Sequence, residues 1–218
     1  NIQRHLRMVQ RFDGKTPEAE VYSHLDPGCQ EIAIVCRDSV GLFHRICTAV
    51  MLENFGIVEA RLNTRTDGIV ANSIVVRDSL ENETISKERQ QLLLERIRRI
   101  LSTEGPPPKA PKPPRAATIG RSSFENTVKV SNDSSNRFTV VVVRCADRHG
   151  LLQDLTSVLS ERKINIHFAR IITEGSRVTD VFYVADPSGE KIADPDIIAA
   201  LSQALQERLE PADSDGTH

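Results

Sequence analysis

Shifting the chain by 109 residues lays one half on the other. Asp38 falls on Asp147, Gly41 on Gly150 and Leu42 on Leu151, followed by Ile57 on Ile166, Ala60 on Ala169, Arg61 on Arg170 and Thr64 on Thr173. Upstream, Cys36 falls on Cys145. One residue is then lost in a turn, and Asp78 meets Asp186 at an offset of 108. A match that keeps register through strand, helix and turn marks two copies of one structural unit. The 218 residues therefore divide into two small domains rather than one large one.

Each copy reads in the same order. "EIAIVCR" (31–37) and "FTVVVVRCA" (138–146) are β-branched apolar runs suited to a central strand. The segments opening at Gly41 and Gly150 place Leu42, Ile46, Ala49 and Val50, and Leu151, Leu155, Val158 and Leu159, at helical intervals. Next come "IVEARLNT" and "IVANSIVVRD" around "RTDG", and "INIHFARIIT" and "VTDVFYVAD" around "EGSR", each a predicted β-hairpin. Helices follow over 87–101 and 195–209, the second opening on Pro195. This order predicts an α+β fold of two ferredoxin-like βαββαβ domains whose fourth strand is permuted or exchanged. "AEVYS" (19–23) and "TVKVS" (127–131) can supply it, either as a local hairpin with the following strand or by exchange between copies. The shorter loop favours the hairpin.

The expected division is an upstream helix or linker over 1–17, a first domain over 18–103, a Pro-rich linker over 104–125, a second domain over 126–209 and a disordered tail over 210–218. The linker carries "EGPPPKAPKPPR", which favours extended polyproline conformations and cannot join a packed helix. Pro108 to Pro111 matches P-x-x-P, but a spacer is the expected role. The start "NIQRHLRMVQRF" reads like the end of a helix in a longer protein.

Composition narrows the function. With a formal charge of −2, seven Phe, two Tyr and no Trp, neither a phosphate-binding field nor a base-stacking surface is expected, and nucleic acid and membrane are not expected partners. Cys29, Cys36, Cys47 and Cys145 form neither a C-x-x-C pair nor a zinc spacing. Cys36 and Cys145 sit in apolar strands as small hydrophobes, so a reducing cytoplasm is expected. Neither a P-loop nor a G-x-G-x-x-G occurs. The chain itself carries no catalytic machinery and no cofactor or metal is expected.

The repeated phrase is D-x-x-G followed by an apolar helix start, in "DSVGLFHRI" and "DRHGLLQDL". Glycine there lets the chain turn tightly and lets another group approach. The first helical N–H groups can hold a carboxylate, and the Asp can accept from an ammonium. Such a turn suits an amino acid. The plainer expectation is that Asp38 and Asp147 are helix caps, and that His44 and His149 are exposed.

These phrases and their flanks, including "NDSSNRFTVVVVRCADRHGLLQDL" and "VFYVAD" with "GEKI", resemble ACT domains. They are similar in particular to the tandem ACT pair that ends the bifunctional uridylyltransferase/uridylyl-removing enzymes of PII nitrogen signalling. The resemblance covers roughly residues 1–209 and implies glutamine as effector, catalytic domains earlier in the same chain, an indirect link to PII, and ACT–ACT pairing or a homodimer. It maps ligand contacts onto Asp38, Ser39, Val40, Gly41, Leu42 and Phe43, onto Asp147, Arg148, His149, Gly150, Leu151 and Leu152, and onto Asn165. Because the first copy has Gly56 where the second has Asn165, the second copy is expected to be the better site, with Gly150→Val weakening binding more than Gly41→Val. An ACT pair from another amino-acid-responsive parent and a ligand-free interaction module remain open alternatives.

Overall fold

The structure, a computed structural model, describes residues 2–26, 28–79, 85–103, 105, 125–148, 150–174 and 176–209. Most of the expected Pro-rich linker and the expected disordered tail lie outside these residues, as does His149.

Each copy opens with a hairpin. In the first, β1 (Glu18–Ser23) pairs antiparallel with β2 (Cys29–Arg37), and in the second β5 (Thr127–Ser131) pairs likewise with β6 (Thr139–Ala146). The edge strand is therefore local, as loop-closure entropy favours, and it occupies the place beside the central strand that a closing fourth strand would take. The helix α2 (Leu42–Leu52), the hairpin β3 (Phe55–Arg61) and β4 (Ile69–Asp78), and α3 (Lys87–Ser102) complete the first copy. In the second copy α4 (Leu151–Glu161), β7 (Asn165–Glu174), β8 (Arg177–Ala185) and α5 (Pro195–Leu209) follow in the same order.

The two copies share one eight-stranded sheet in the order β1-β2-β4-β3-β7-β8-β6-β5. Its centre is the antiparallel pair β3–β7, in register Glu59↔Arg170, Ala60↔Ala169 and Arg61↔Phe168. Ala60 and Ala169 are the same position in the two repeats, so a local twofold axis passes between them. Both are fully buried, and the small side chains leave room for α2 and α4 to pack side by side over the seam. Cross-seam hydrogen bonds reinforce the contact: His44 Nδ1 lies 3.2 Å from Thr156 Oγ1, and Gln153 Nε2 donates to Thr48 Oγ1 at 3.2 Å. A single apolar core, including Ile34, Ile46, Ile74, Leu155, Phe182 and Leu201, runs across both copies between the sheet and α2–α5. The two copies expected from the repeat thus pair with each other within one chain.

Among the described residues, the opposite sheet face carries one further helix, α1 (Ile2–Arg11). It seats Met8 on Ala33 and Val35, flanked by Val9, Phe12, Tyr22 and Ile69. Arg11 bonds to Glu18 at 2.6 Å and also to Glu20, and the Arg4 guanidinium lies 4.3 Å from the Tyr22 ring centre.

At the far end of the first copy, Ser86 Oγ accepts from Arg89 N at 3.3 Å and caps α3. Ser86→Ala is expected to cost about 1 kcal/mol in urea unfolding. An unchanged midpoint would remove the cap from the account of this helix.

Candidate functional site

The twofold seam creates two junctions, each between the D-x-x-G turn of one copy and the helix end and first hairpin strand of the other. At the first, residues 38–44 face α4 and the start of β7, across a cleft of about 230 Å³. Asp38, Ser39, Gly41, Leu42 and Phe43 all line it, and so does Asn165. Val40 is not among the lining residues and is 72% exposed. Asn165 thus faces the turn of the first copy rather than that of its own copy. The expectation that it makes the second copy's turn the better site is corrected: β7 pairs with β3, which carries its first residue across the seam.

Gly41 adopts φ 74° and ψ 16° and Gly150 adopts φ 78° and ψ 1°, a left-handed backbone at the start of α2 and α4. No side chain caps either helix, so Asp38 and Asp147 are not the caps they were expected to be. The turns are closed instead by backbone bonds: Asp38 N donates to Gly68 O at 2.9 Å, and Asp147 N to Ser176 O at 2.8 Å. Both aspartates stay exposed. Helix starts without a side-chain cap keep first-turn N–H groups for another acceptor.

A Cβ added to Gly41 would come within 2.3 Å of Ser160 Oγ, whereas one on Gly150 would meet Met51 Sδ at 3.6 Å. A side chain is therefore more crowded at Gly41 than at Gly150.

The rest of the first cleft is uncharged and mixes apolar side chains, such as Leu62, Val70, Ile164 and Ile166, with neutral polar groups. Ser160 and Thr156 come from α4, Asn72 from β4, and His44 and His167 from the two copies. His44 was expected to be exposed; it is half-buried because α4 packs over it. Burial lowers the pKa of both imidazoles, and the nearby Arg137 guanidinium adds to the effect at His167. His167 owes its place to an irregularity in the β7–β8 register between Ile166 and Phe168, matched in β3 between Ile57 and Glu59. Its ring stacks on Phe138 with centroids 4.7 Å apart, and its Nε2 is buried with no hydrogen-bond partner. The opposite wall is the turn at Pro187–Gly189. Asp186 Oδ1 holds that turn by accepting from Ser188 N at 2.8 Å and Glu190 N at 3.0 Å, while Asn165 Nδ2 donates to Asp186 O at 3.2 Å. Neither histidine's position was legible from local pattern; the one available signal was that residue 167 falls opposite a valine, Val58, in the other copy.

The second junction is different in chemistry. The equivalents of Thr156, Ser160, Asn165 and His167 are Cys47, Met51, Gly56 and Val58. Leu151 is buried there and Leu152 half-buried. Arg148 is held away by Asp154 at 2.6 Å and by Arg208 O at 3.0 Å. Where the first copy has Asn72, whose Oδ1 accepts from Asn63 N at 2.9 Å, the second has Asp180. Asp180 is 1% exposed and neither carboxylate oxygen has a hydrogen-bond partner. Burial, with repulsion from Asp147, pushes its pKa up to about 7.

All four cysteines are buried free thiols. Among the described residues no group of three or more His, Cys, Asp or Glu is placed to hold a metal, and no helix is long and apolar enough to cross a membrane.

Comparison with known proteins agrees with this architecture. The family described as "ACR9-like, ACT-like domain" matches residues 127–212. The bifunctional uridylyltransferase/uridylyl-removing enzyme of Gluconobacter oxydans is 33% identical over 215 residues, covering 96% of this chain and 23% of its own length. That of Rhodospirillum rubrum is 32% identical over 214 residues, covering 93% and 22%. The chain therefore spans about a quarter of the length of these relatives. The ligand-free regulatory subunit of aspartate kinase from Thermus thermophilus aligns over 91% of this chain and 100% of its own at 10% identity, with a TM-score of 0.28. Residues 127–212 belong to the ACT-like domain family, and the chain as a whole is similar to a segment of bifunctional uridylyltransferase/uridylyl-removing enzymes.

Proposed function

We propose that this chain is an amino-acid sensor whose effector is glutamine, bound in the first cleft. Through that site it would bias catalytic domains of the same parent polypeptide between uridylylation and deuridylylation of PII. The observation that carries the reading is the chemistry of the cleft. The uncapped start of α2 suits a carboxylate, and Asp38 at its rim suits an ammonium. The neutral polar wall of Ser160, Asn165 and the two histidines suits a side-chain amide better than a second carboxylate. Asp38, Ser39, Gly41, Leu42, Phe43 and Asn165 are the proposed contacts. Asp147, Arg148, Gly150, Leu151 and Leu152 belong to a junction whose facing wall, Cys47, Met51, Gly56 and Val58, offers no amide partner to take the same ligand equally.

Calorimetry of the 218-residue chain with glutamine, glutamate and other amino acids tests this. Glutamine is expected to give saturable heat with a preference over glutamate. Asn165→Ala is expected to weaken it about tenfold, the equivalent of ~1.4 kcal/mol. An absence of heat with every amino acid, in protein shown to be folded, would sink the reading.

A further inference from the structure

The two copies expose the same sheet face to opposite fates. In the first copy, α1 covers the face away from the core, a basic helix carrying Arg4, Arg7 and Arg11. The surface beneath it is acidic at its edge, where Glu18 and Glu20 receive Arg11. Among the described residues no helix covers the matching face of the second copy.

Position by position, that second face is more apolar at its centre and inverted in charge at its edge. Strand register puts Val142 beside Val181, and Val181 beside Arg170. The Tyr183–Phe168 pair lies next to them, edge to face at 5.5 Å. Val142 stands where Ala33 meets Met8 in the first copy, and Val181 replaces Ser73. All four apolar side chains are half-exposed, and Ile172 on the same face is 39% exposed. At the edge, Lys129 replaces Glu20, and Arg144 replaces Val35. With Arg170 and Arg177 the strands of the second copy bring four cations to this face against one carboxylate of their own, Glu174. Glu59 of the first copy stands beside Arg170 across the seam and pairs with Arg61 at 2.8 Å. A solvated antiparallel face normally alternates towards polar residues; a continuous apolar centre with a predominantly cationic rim is the anatomy of an interface.

We propose that the outer sheet face of the second copy docks an acidic amphipathic helix from outside residues 1–218, in the position α1 takes on the first copy. Its apolar stripe would cover Val142, Val181, Phe168 and Tyr183, and its carboxylates would meet Lys129, Arg144 and Arg170. The charge inversion excludes α1 of a second copy as the occupant, because α1 is basic. The proposal does not rest on glutamine binding, since the cleft lies on the seam and this face lies on the other side of the sheet.

The test uses two helix-stapled peptides and amide NMR spectra of the 218-residue chain. One peptide has the α1 sequence from Ile2 to Phe12; the other carries Arg4→Glu, Arg7→Glu and Arg11→Glu. The acidic peptide is expected to shift the amide signals of Val142, Phe168, Val181 and Tyr183 saturably, and the native basic peptide to leave them in place. The double variant Lys129→Glu/Arg170→Glu, with an unchanged thermal midpoint, is expected to weaken the acidic peptide at least tenfold. The proposal is overturned if neither peptide moves these signals, if both move them equally, or if the response survives the charge reversal. Concentration-dependent self-association through these same residues would likewise overturn it.

Discussion

Asp180→Asn is expected to raise the thermal stability of this chain, and by more at pH 8 than at pH 4. The carboxyl group is buried, its oxygens lack partners, and its pKa stands at about 7 against 3.8 for a free side chain. The folded state therefore binds this proton more tightly than the unfolded state does. Stability from the site is fully present below the unfolded value, and is lost as pH rises from about 4 through 7. Above that it levels off. A gap of about three pKa units corresponds to at most about 4 kcal/mol. An amide in the same place also lacks partners, so about 2 kcal/mol is the expected gain at pH 8, or roughly 4–8 °C for a chain of this size. Nature has made the same exchange at the equivalent position, where Asn72 bonds to the backbone of Asn63. Melting followed by circular dichroism at several pH values checks this. A variant no more stable than the parent at pH 8 would mean that Asp180 has a cationic or hydrogen-bonding partner in solution.

Gly41→Ala is expected to destabilise the fold by about 2–3 kcal/mol, and Gly150→Ala by about 1. Both glycines sit in the left-handed region, at φ 74° and φ 78°, so any side chain costs roughly 1–2 kcal/mol in backbone strain alone. At Gly41 the new methyl also meets Ser160 Oγ at 2.3 Å, while Ser160 Cβ lies at 3.4 Å. Ser160 has to leave its rotamer, in a wall that the proposed ligand also touches. At Gly150 the nearest atom is Met51 Sδ at 3.6 Å, an ordinary contact. The double variant Gly41→Ala/Ser160→Ala should regain the steric part and none of the backbone part. Urea unfolding of the three variants separates these contributions. Equal losses at the two glycines, with no recovery in the double variant, would show that the α4 contact is unimportant.

The two copies, the identity of their elements and the local hairpin of each edge strand were legible along the chain. They depend on contacts between near neighbours: β-branched runs, helical spacing, and short loops that close cheaply. The turn glycines were legible too, because a left-handed backbone before a helix needs one. What was read wrongly was the surroundings of each turn. Asn165 was assigned to its own copy because it is near in sequence, His44 was expected in solvent, and Asp38 was expected to cap a helix. Each depends on what lies across β3–β7, and no local pattern records that.

By itself the sequence determined a duplicated α+β unit and the residues that make its turns, since these follow from periodicity and backbone sterics within one copy. Tertiary structure alone decided which turn faces which wall. Pairing β3 with β7 about Ala60 and Ala169 brings the first copy's turn to Ser160, Asn165 and His167, and the second's to Met51, Gly56 and Val58. The two identical phrases thereby acquire different chemistry, because a site on a seam takes half its groups from the other copy.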